Sequence, residues 1–479
     1  MKKTILLGLL ATLSLQTAFA QSALDAIQFS QTIYQGSARS QAMAGAVGAM
    51  GNDYGSVAIN PAGLGLYRCR GELSITPGLS FCSSTSSYFD HTEKTLKSNF
   101  NLSSLGLVIS REASNYGTLR YWQLGIGMNR TNNFNYKTTA SGINETSSIV
   151  DSYFNDIDGM SVEDLIGNYT YLPAWNAHII DTMDGLYTTP VPQGNLRQTR
   201  SMNRKGHADE WTITGSMNLI DKVFLGASIG IAHINSVKDY SFTEENLKTG
   251  EFFREWTSYE YIKTTGFGFN VGLGIVAFPV RWLRFGIAYH TPTMYTLKET
   301  WEPSAVSVLN GNTYSSSSDL YNSYSFDLRT PHKLGASLAF IIGSSGIITA
   351  DYEYMNYRQA KFSANDWDYT SRNEEIKATG KHASNVRIGT EWVLNNNLYL
   401  RGGFAFYGSP YSKDDENISN TFVYSGGAGY MFTSNFGMDI AYSLIDSKSA
   451  MYPYDFTGVS IMNEHYMRHN VTLSLKLKW

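Results

Sequence analysis

Val471-Thr472-Leu473-Ser474-Leu475-Lys476-Leu477-Lys478-Trp479 closes the sequence, and its reading decides the fold. Apolar and polar residues alternate without a miss. A period of two puts Val471, Leu473, Leu475, Leu477 and Trp479 on one face of a strand. Thr472, Ser474, Lys476 and Lys478 take the other face. A soluble sheet with one wet side carries the same pattern. The remaining sequence decides whether the apolar face meets a protein core or lipid.

The opening residues point to export. Lys2 and Lys3 form a positive start, Ile5 to Leu15 is mostly apolar, and Ala18-Phe19-Ala20 is a small-x-small cleavage site. Residues 1–20 therefore read as a secretory signal peptide removed before Gln21. The apolar stretch is shorter than the roughly 18 residues a spanning helix needs. No Cys follows the cleavage site, so a lipid anchor is not expected. Removing the leader takes two lysines and no acids from a chain whose formal net charge is −4. No basic footprint for nucleic acid remains.

The composition suits a membrane barrel. Gly (43), Tyr (32) and Phe (24) are abundant and charged residues make up only 16%. Aromatic residues fit interfacial girdles, and Gly fits closely packed, curved strands. The mean hydropathy of −0.23 is low because the lumen and loops of a barrel are polar. Cys69 and Cys82 flank a predicted strand, too far apart for a disulfide. No cofactor or metal site is expected.

Alternation divides residues 72–479 into about fourteen strands. They fall near 72–83, 98–111, 118–131, 209–220, 222–235, 259–276, 281–298, 324–342, 346–359, 384–394, 397–407, 420–433, 436–447 and 466–479. Long connections (84–97, 132–208, 236–258, 299–323, 360–383, 408–419, 448–465) alternate with short ones, such as Asp221, Pro279 and Gly343-Ser344-Ser345. Long extracellular loops and short periplasmic turns are the signature of an antiparallel outer-membrane barrel. An even strand number places both ends of the barrel on the periplasmic side. The expected fold is all-β, with the closing strand running down to leave Trp479 at the periplasmic interface. There it pairs with the first strand, is offered to the barrel-assembly machinery, and turns Lys476 and Lys478 into the lower lumen. A monomer in the outer membrane of a Gram-negative-type bacterium follows.

Alternation also assigns faces. Leu124, Ile126, Met128, Phe267, Phe269, Val271, Leu273 and Ile275 should face lipid. Gly125, Gly127, Gly226, Gly230, Gly266, Gly268, Gly272 and Gly274 should form a lumen wall without side-chain bulk, so something must fill that side. Asp351, Glu353, Arg387, Glu391, Arg401 and Asp439 should line the opposite wall as a self-paired ion network. In the loop at 132–208, Ile149, Val150, Tyr153, Phe154 and Ile157 recur at helical spacing. Ser161-Val162-Glu163-Asp164 resembles a capping box.

Residues 21–71 do not alternate. Ser37 to Met50 is rich in small residues and predicts a compact helix. Gly51-Asn52-Asp53-Tyr54-Gly55 is a turn cluster, and Asn60-Pro61-Ala62 precedes the first strand. About 50 residues at the periplasmic end can fold inward and block the lumen, but cannot make the plug of a 22-stranded transporter. The Gly-rich lead, Asn60-Pro61-Ala62, a barrel of about fourteen strands and the aromatic end resemble the FadL family of long-chain fatty acid and hydrocarbon transporters. Arg284 to Pro292 is similar to a mid-barrel segment of that family.

The resemblance implies an N-terminal hatch (21–71) plugging a 14-stranded barrel (72–479). Asn60, Pro61 and Ala62 would be hatch residues contacting the wall. Hydrophobic ligand would land outside, pass to an interior pocket, and leave through a lateral gap as the hatch moves. One departure stands out: the family's landing groove uses loops after the fifth and seventh strands, whereas here the loop after the third is longest. Passive transport of hydrophobic small molecules is the leading reading. Alternatives are a FadL-like protein of the PorV secretion type that binds protein cargo, or a haem receptor using His178, His207 or His465. His233 and His290 lie near strand ends without a catalytic spacing, so an enzyme is not expected. The glycine wall predicts that the hatch packs against strands three to seven.

Overall fold

The computed structural model describes residues 22–113, 117–316, 322–395, 397–412, 420–456 and 459–479. The expected leader, and parts of the turns at 113–117 and 395–396, lie outside them.

Fourteen antiparallel strands make one closed wall. They are β1 (Gly71–Tyr88), β2 (His91–Glu112), β3 (Leu119–Asn133, resuming as Tyr136–Asn144), β4 (Leu196–Leu219) and β5 (Val223–Asn246). Next come β6 (Phe253–Val280), β7 (Leu283–His290, then Met294–Leu309), β8 (Asn322–Arg329, then Lys333–Ile342) and β9 (Gly346–Asn356). The last five are β10 (His382–Val393), β11 (Leu398–Tyr407), β12 (Thr421–Met431), β13 (Phe436–Met451) and β14 (Met462–Lys478). β14 pairs with β1 from Lys478↔Glu72 upward. Gly71 and Trp479 exchange both backbone hydrogen bonds, each 3.1 Å, which joins the last strand to the first and closes the barrel at its short-turn end.

The wall is taller than a bilayer. A tilted spanning strand needs about 9–11 residues, yet β4 and β5 have 24 each and β6 has 28. Alternation persists above the lipid belt with polar residues on both sides, so these segments continue as strand where the sequence reads as loop. The expected long connection at 84–97 is likewise a hairpin with a tight turn at Phe89, whose φ is 49°. At the other end, β4 and β5 join through Ile220, Asp221 and Lys222. Ile220 and Asp221 have positive φ (51° and 57°), and Lys222 N donates to Leu219 O at 3.1 Å, the geometry of a type I′ turn.

The faces follow the pattern. Leu124, Ile126, Phe267, Phe269, Val271, Leu273 and Ile275 are exposed on the outside, and the lumen-facing Asp351, Glu353, Arg387, Glu391, Arg401 and Asp439 are buried. Met128 departs from this: it opens a run to Phe134 buried on both faces. There β3 leaves its neighbour. Pairing of β2 with β3 covers only Ser104↔Asn129 to Glu112↔Tyr121, although both strands continue upward. Ile33 and Gln35 of the N-terminal segment donate backbone hydrogen bonds to Thr131 and Arg130 at 2.9 and 3.1 Å. β3 has turned into the lumen, where the N-terminal segment partners it.

Three helices cover the long-loop end after β3: α3 (Ile149–Ile157), α4 (Val162–Ile166) and α5 (Leu172–Asn176). Ser161 caps the second, as the spacing predicts, and Ser148 with Asp151 caps the first, which the sequence reading did not single out. Ile149, Val150, Ile157, Leu165, Ala174 and Ile180 pack with Phe242, Trp256 and Leu309 from the tall strands. The helices cover the mouth by burying their apolar faces inward. β7 and β8 break at one height, at Thr291-Pro292-Thr293 and Thr330-Pro331-His332, since proline cannot donate to the ladder. Above this break β8 pairs with the short segment Lys361–Ser363.

Candidate functional site

Residues 22–70 fill the lumen from the upper chamber to the short-turn end. The predicted helix over Ser37–Met50 is shorter than expected: only Ala38–Ala42 is helical (hatch helix α2), and the chain then turns through Ala44 and Gly45, both with positive φ. A further helix, Ala23–Ser30 (hatch helix α1), has a complete capping box at Ser22 and Asp25. Sequence reasoning missed it, although Ser22-Ala23-Leu24-Asp25 carries the capping signal.

Asn60-Pro61-Ala62 sits where the wall has no side chains. The Asn60 side chain accepts from Ala62 N at 3.0 Å and caps the 3-10 turn Pro61–Leu66. Its Nδ2 donates to Gly48 O at 2.8 Å and to Ile275 O of β6 at 3.3 Å. A methyl on Gly226 would strike Pro61 and Ala62, and one on Gly274 would strike Asn60. Gly286 of β7 lies against Gly48 O in the same way. The Tyr54 ring lies on Gly106 and Gly127, and Leu64 lies over Gly125. Tyr54 Oη reaches Thr212 Oγ1 at 2.8 Å, and His290 Nε2 donates to Ile59 O at 3.2 Å.

The glycine wall therefore divides. Gly125, Gly127, Gly226 and Gly274 seat the hatch. Gly230, Gly266, Gly268 and Gly272 do not: they lie against Asn270, the β7 backbone at Thr296, Tyr295, and Ser228 with His290. The expectation that the whole hatch rests on strands three to seven is corrected. Asn60–Leu66 rests there, but Ser37–Met50 rests on the late strands. Met43 fills the space over Gly389 and Gly403, and Ala42 that over Gly427.

The charged wall is also different from a self-paired network. Arg401 does bridge Glu391 (2.5 Å) and Asp439 (2.6 Å), and Arg387 pairs with Glu353 at 3.5 Å. But Arg39 of the hatch adds a fork onto Glu391, and Asp53 of the hatch binds Lys476 at 3.0 Å, which also binds Asp439 at 3.0 Å. Asp351 accepts from Gly48 N at 2.9 Å. Charges thus alternate from hatch to wall and back: Arg39, Glu391, Arg401, Asp439, Lys476, Asp53. Buried ions need such pairing, because each left alone carries a desolvation cost of several kcal/mol. Lys476 points inward toward the plug, as the closing strand predicts.

The upper chamber is apolar and occupied. Ala23, Ala26 and Phe29 of α1 pack with Tyr295, Leu297, Phe326, Leu328 and Phe362. Lys238 Nζ donates to Asp25 Oδ1 at 2.5 Å. The Arg204 guanidinium lies 4.7 Å from the Phe134 ring centroid and 5.7 Å from that of Phe29.

The wall is incomplete beside this chamber. Among the described residues, no backbone bond joins β2 to β3 above Ser104 and Asn129. The residues from His91 to Phe100 pair only with β1, and Leu96 and Phe100 stand exposed. Among the described residues the interval is crossed by side-chain bonds: Thr95 Oγ1 to Lys137 O at 2.5 Å, and Lys97 Nζ to Asn203 Oδ1 at 2.7 Å and Arg204 O at 2.6 Å.

The histidines considered for haem are engaged apart. His178 packs on Tyr314, His207 lies 3.2 Å from Asp209, and His465 lies 2.8 Å from Asp446. Among the described residues, no three His, Cys, Asp or Glu converge as a metal site. Cys69 and Cys82 are both free.

A solved FadL homologue from Pseudomonas aeruginosa superposes with a TM-score of 0.58 at 12% identity, covering 92% of this chain and 98% of that one. The P. putida toluene transporter TodX gives 0.55 at 13% identity, over 92% and 98%. The Ralstonia pickettii toluene transporter TbuX gives 0.53 at 14%, again over 92% and 98%. At such identities these structures establish the fold. No curated protein sequence matches the chain. Residues 209–467 match the model of the family described as outer membrane protein transport protein (OMPP1/FadL/TodX). That match spans more than half of the sequence, and the chain belongs to this family of outer-membrane transport proteins.

Proposed function

We propose that the protein is a passive, plugged channel for hydrophobic small molecules of the fatty acid or hydrocarbon type. The observation that carries this reading is the parting of β2 from β3 beside an apolar chamber. A water-filled pore does not solvate an apolar molecule. Each CH₂ kept out of water is worth about 0.8 kcal/mol, so a route from an apolar chamber sideways into lipid avoids that cost. In this mechanism α1 occupies the chamber at rest. Ligand arriving at the long-loop side takes its place among Tyr295, Leu297, Phe326, Leu328 and Phe362. It then leaves between β2 and β3 as Thr95 and Lys97 release their partners.

Asn60, Pro61 and Ala62 act in this scheme as the fixed foot of the hatch on its glycine seat. The charge chain from Arg39 to Asp53 acts as its latch. Trp479, exposed on the outer face at the end of the closing strand, is the element offered to the assembly machinery. Support for the ligand class also comes from the fold's solved relatives, two of which are toluene transporters.

Uptake of a radiolabelled long-chain fatty acid and of a labelled aromatic hydrocarbon by cells with and without the gene tests the reading. The expected result is loss of uptake of one or both in the deletion and recovery on complementation. Equal uptake with and without the gene contradicts it.

A further inference from the structure

The outward face of the barrel carries a cationic cavity that the transport route does not use. It lies where β7 and β8 break and β8 takes Lys361–Ser363 as its partner. The cavity holds about 460 Å³ and is lined by Pro292, Arg329, His332, Arg358, Lys361 and Lys377, together with Glu374. Phe326, Leu328 and Phe362 point inward and are buried, so Arg329 and Lys361 point outward. These two are direct cross-strand neighbours. Like charges directly opposite on a sheet face repel. Among the described residues no carboxylate forms an ion pair with Arg329, Arg358 or Lys361. Glu374 holds Lys377 at 2.7 Å, Glu375 holds Arg372 at 2.9 Å, and Asp327 accepts from the Thr296 hydroxyl at 2.7 Å.

Depth identifies the occupant. On β7, β8 and the neighbouring β9, toward the short-turn end, the outward residues include Tyr289, Leu334, Phe340 and Tyr352, all exposed. That is an apolar and aromatic belt, and the cavity begins where it ends on the long-loop side. Headgroups of the outer leaflet lie at this level. Arginine forks bind phosphate oxygens in pairs, and lysine adds a point charge. We propose that this cavity binds the phosphates of an anionic, phosphate-bearing glycolipid of the outer leaflet, with Arg329, Arg358 and Lys361 as the principal contacts. The inference stands on the cavity alone and is independent of the transported ligand.

The test uses the mature, detergent-solubilised protein titrated with bisphosphorylated lipid A, read by native mass spectrometry. Arg329→Gln with Lys361→Gln should weaken binding about tenfold or more, and Arg329→Gln alone severalfold. Lys94→Gln, an exposed cation on β2, should leave it unchanged. Lipid A stripped of its phosphates should bind the wild type as weakly as the double variant binds the intact lipid. Heat-modifiable migration checks that each variant is folded, and the single variant carries the test should the double one misfold. Equal affinity of wild type and the folded variants overturns the proposal, as does equal affinity for the dephosphorylated lipid. Displacement of lipid A by an equal concentration of inorganic phosphate overturns the lipid as the source of the anion.

Discussion

The Arg39 guanidinium of the hatch grips Glu391 of β10 with two parallel bonds, Nε to Oε2 at 2.8 Å and Nη2 to Oε1 at 2.9 Å. Both groups lie inside the lumen, and Arg401 takes the same Oε2 from the wall side. This is the bidentate geometry that makes an arginine–carboxylate pair strong. It ties the plug to the strand opposite its glycine seat, so the hatch is held from two sides.

Removing one partner should cost more than removing both. Arg39→Ala leaves Glu391 with Arg401 alone and opens space, and breaking a buried pair costs about 3–5 kcal/mol. Hydrogen exchange in residues 37–56 should accelerate by orders of magnitude while β1–β14 keep their protection. Unchanged exchange in the hatch would contradict the latch.

The latch should also titrate in acid. Burial alone would raise the Asp53 carboxyl, but Lys476 and Arg39 outweigh burial and hold it below the ordinary range. A carboxyl depressed in the docked state contributes fully above its free value of about 3.9 and loses that contribution as pH falls through the lower docked value. Protection of residues 37–56 should therefore stay flat from about pH 7 to about pH 5 and begin to fall only below about pH 4. A loss near neutrality would contradict the assignment.

The glycine seat gives a directional prediction. Gly226→Val or Gly274→Val puts bulk into Pro61, Ala62 or Asn60, and overpacking costs about 1–3 kcal/mol. The hatch should loosen, seen as faster exchange at residues 57–66. Gly215→Val is the control, since a Cβ there meets nothing within 4 Å.

How much of this was legible follows from the range of each interaction. The alternation of Val471 to Trp479 is local, so it fixed the face of Lys476 and the pairing with β1 in advance. Asn60-Pro61-Ala62 was legible for the same reason, because its cap spans three residues. Arg39 and Asp53 were not, because their partners lie 352 and 423 residues away and no short-range pattern selects them. The bend in β3 was hidden by composition. Asn132 and Asn133 read as the start of a loop, whereas they continue a strand that from Met128 is buried on both faces. The helix α1 was missed because its apolar residues match a small chamber rather than a long amphipathic stripe.

That helix should behave as a displaceable occupant. Burial opposes the charge on Asp25, but Lys238 prevails and holds its carboxyl below the usual range. Asp25→Ala leaves Lys238 unpaired in a buried site and should free residues 22–30. Their exchange should rise, and uptake of hydrophobic ligand should increase or keep its rate, because the step that empties the chamber has become easier. A fall in uptake with the protein at normal abundance would contradict the occupant role.

The most direct measurement closes the gap between β2 and β3. Thr95→Cys and Lys137→Cys, in a background with Cys69→Ser and Cys82→Ser, place two thiols across the interval where Thr95 already reaches Lys137 O. Cells carrying this variant are assayed for labelled fatty acid and hydrocarbon uptake before and after treatment with a short bis-thiol crosslinker. Lateral exit predicts that crosslinking abolishes uptake, while the same treatment of either single-cysteine variant has no effect. Uptake that continues unchanged through a fully crosslinked wall would contradict the account.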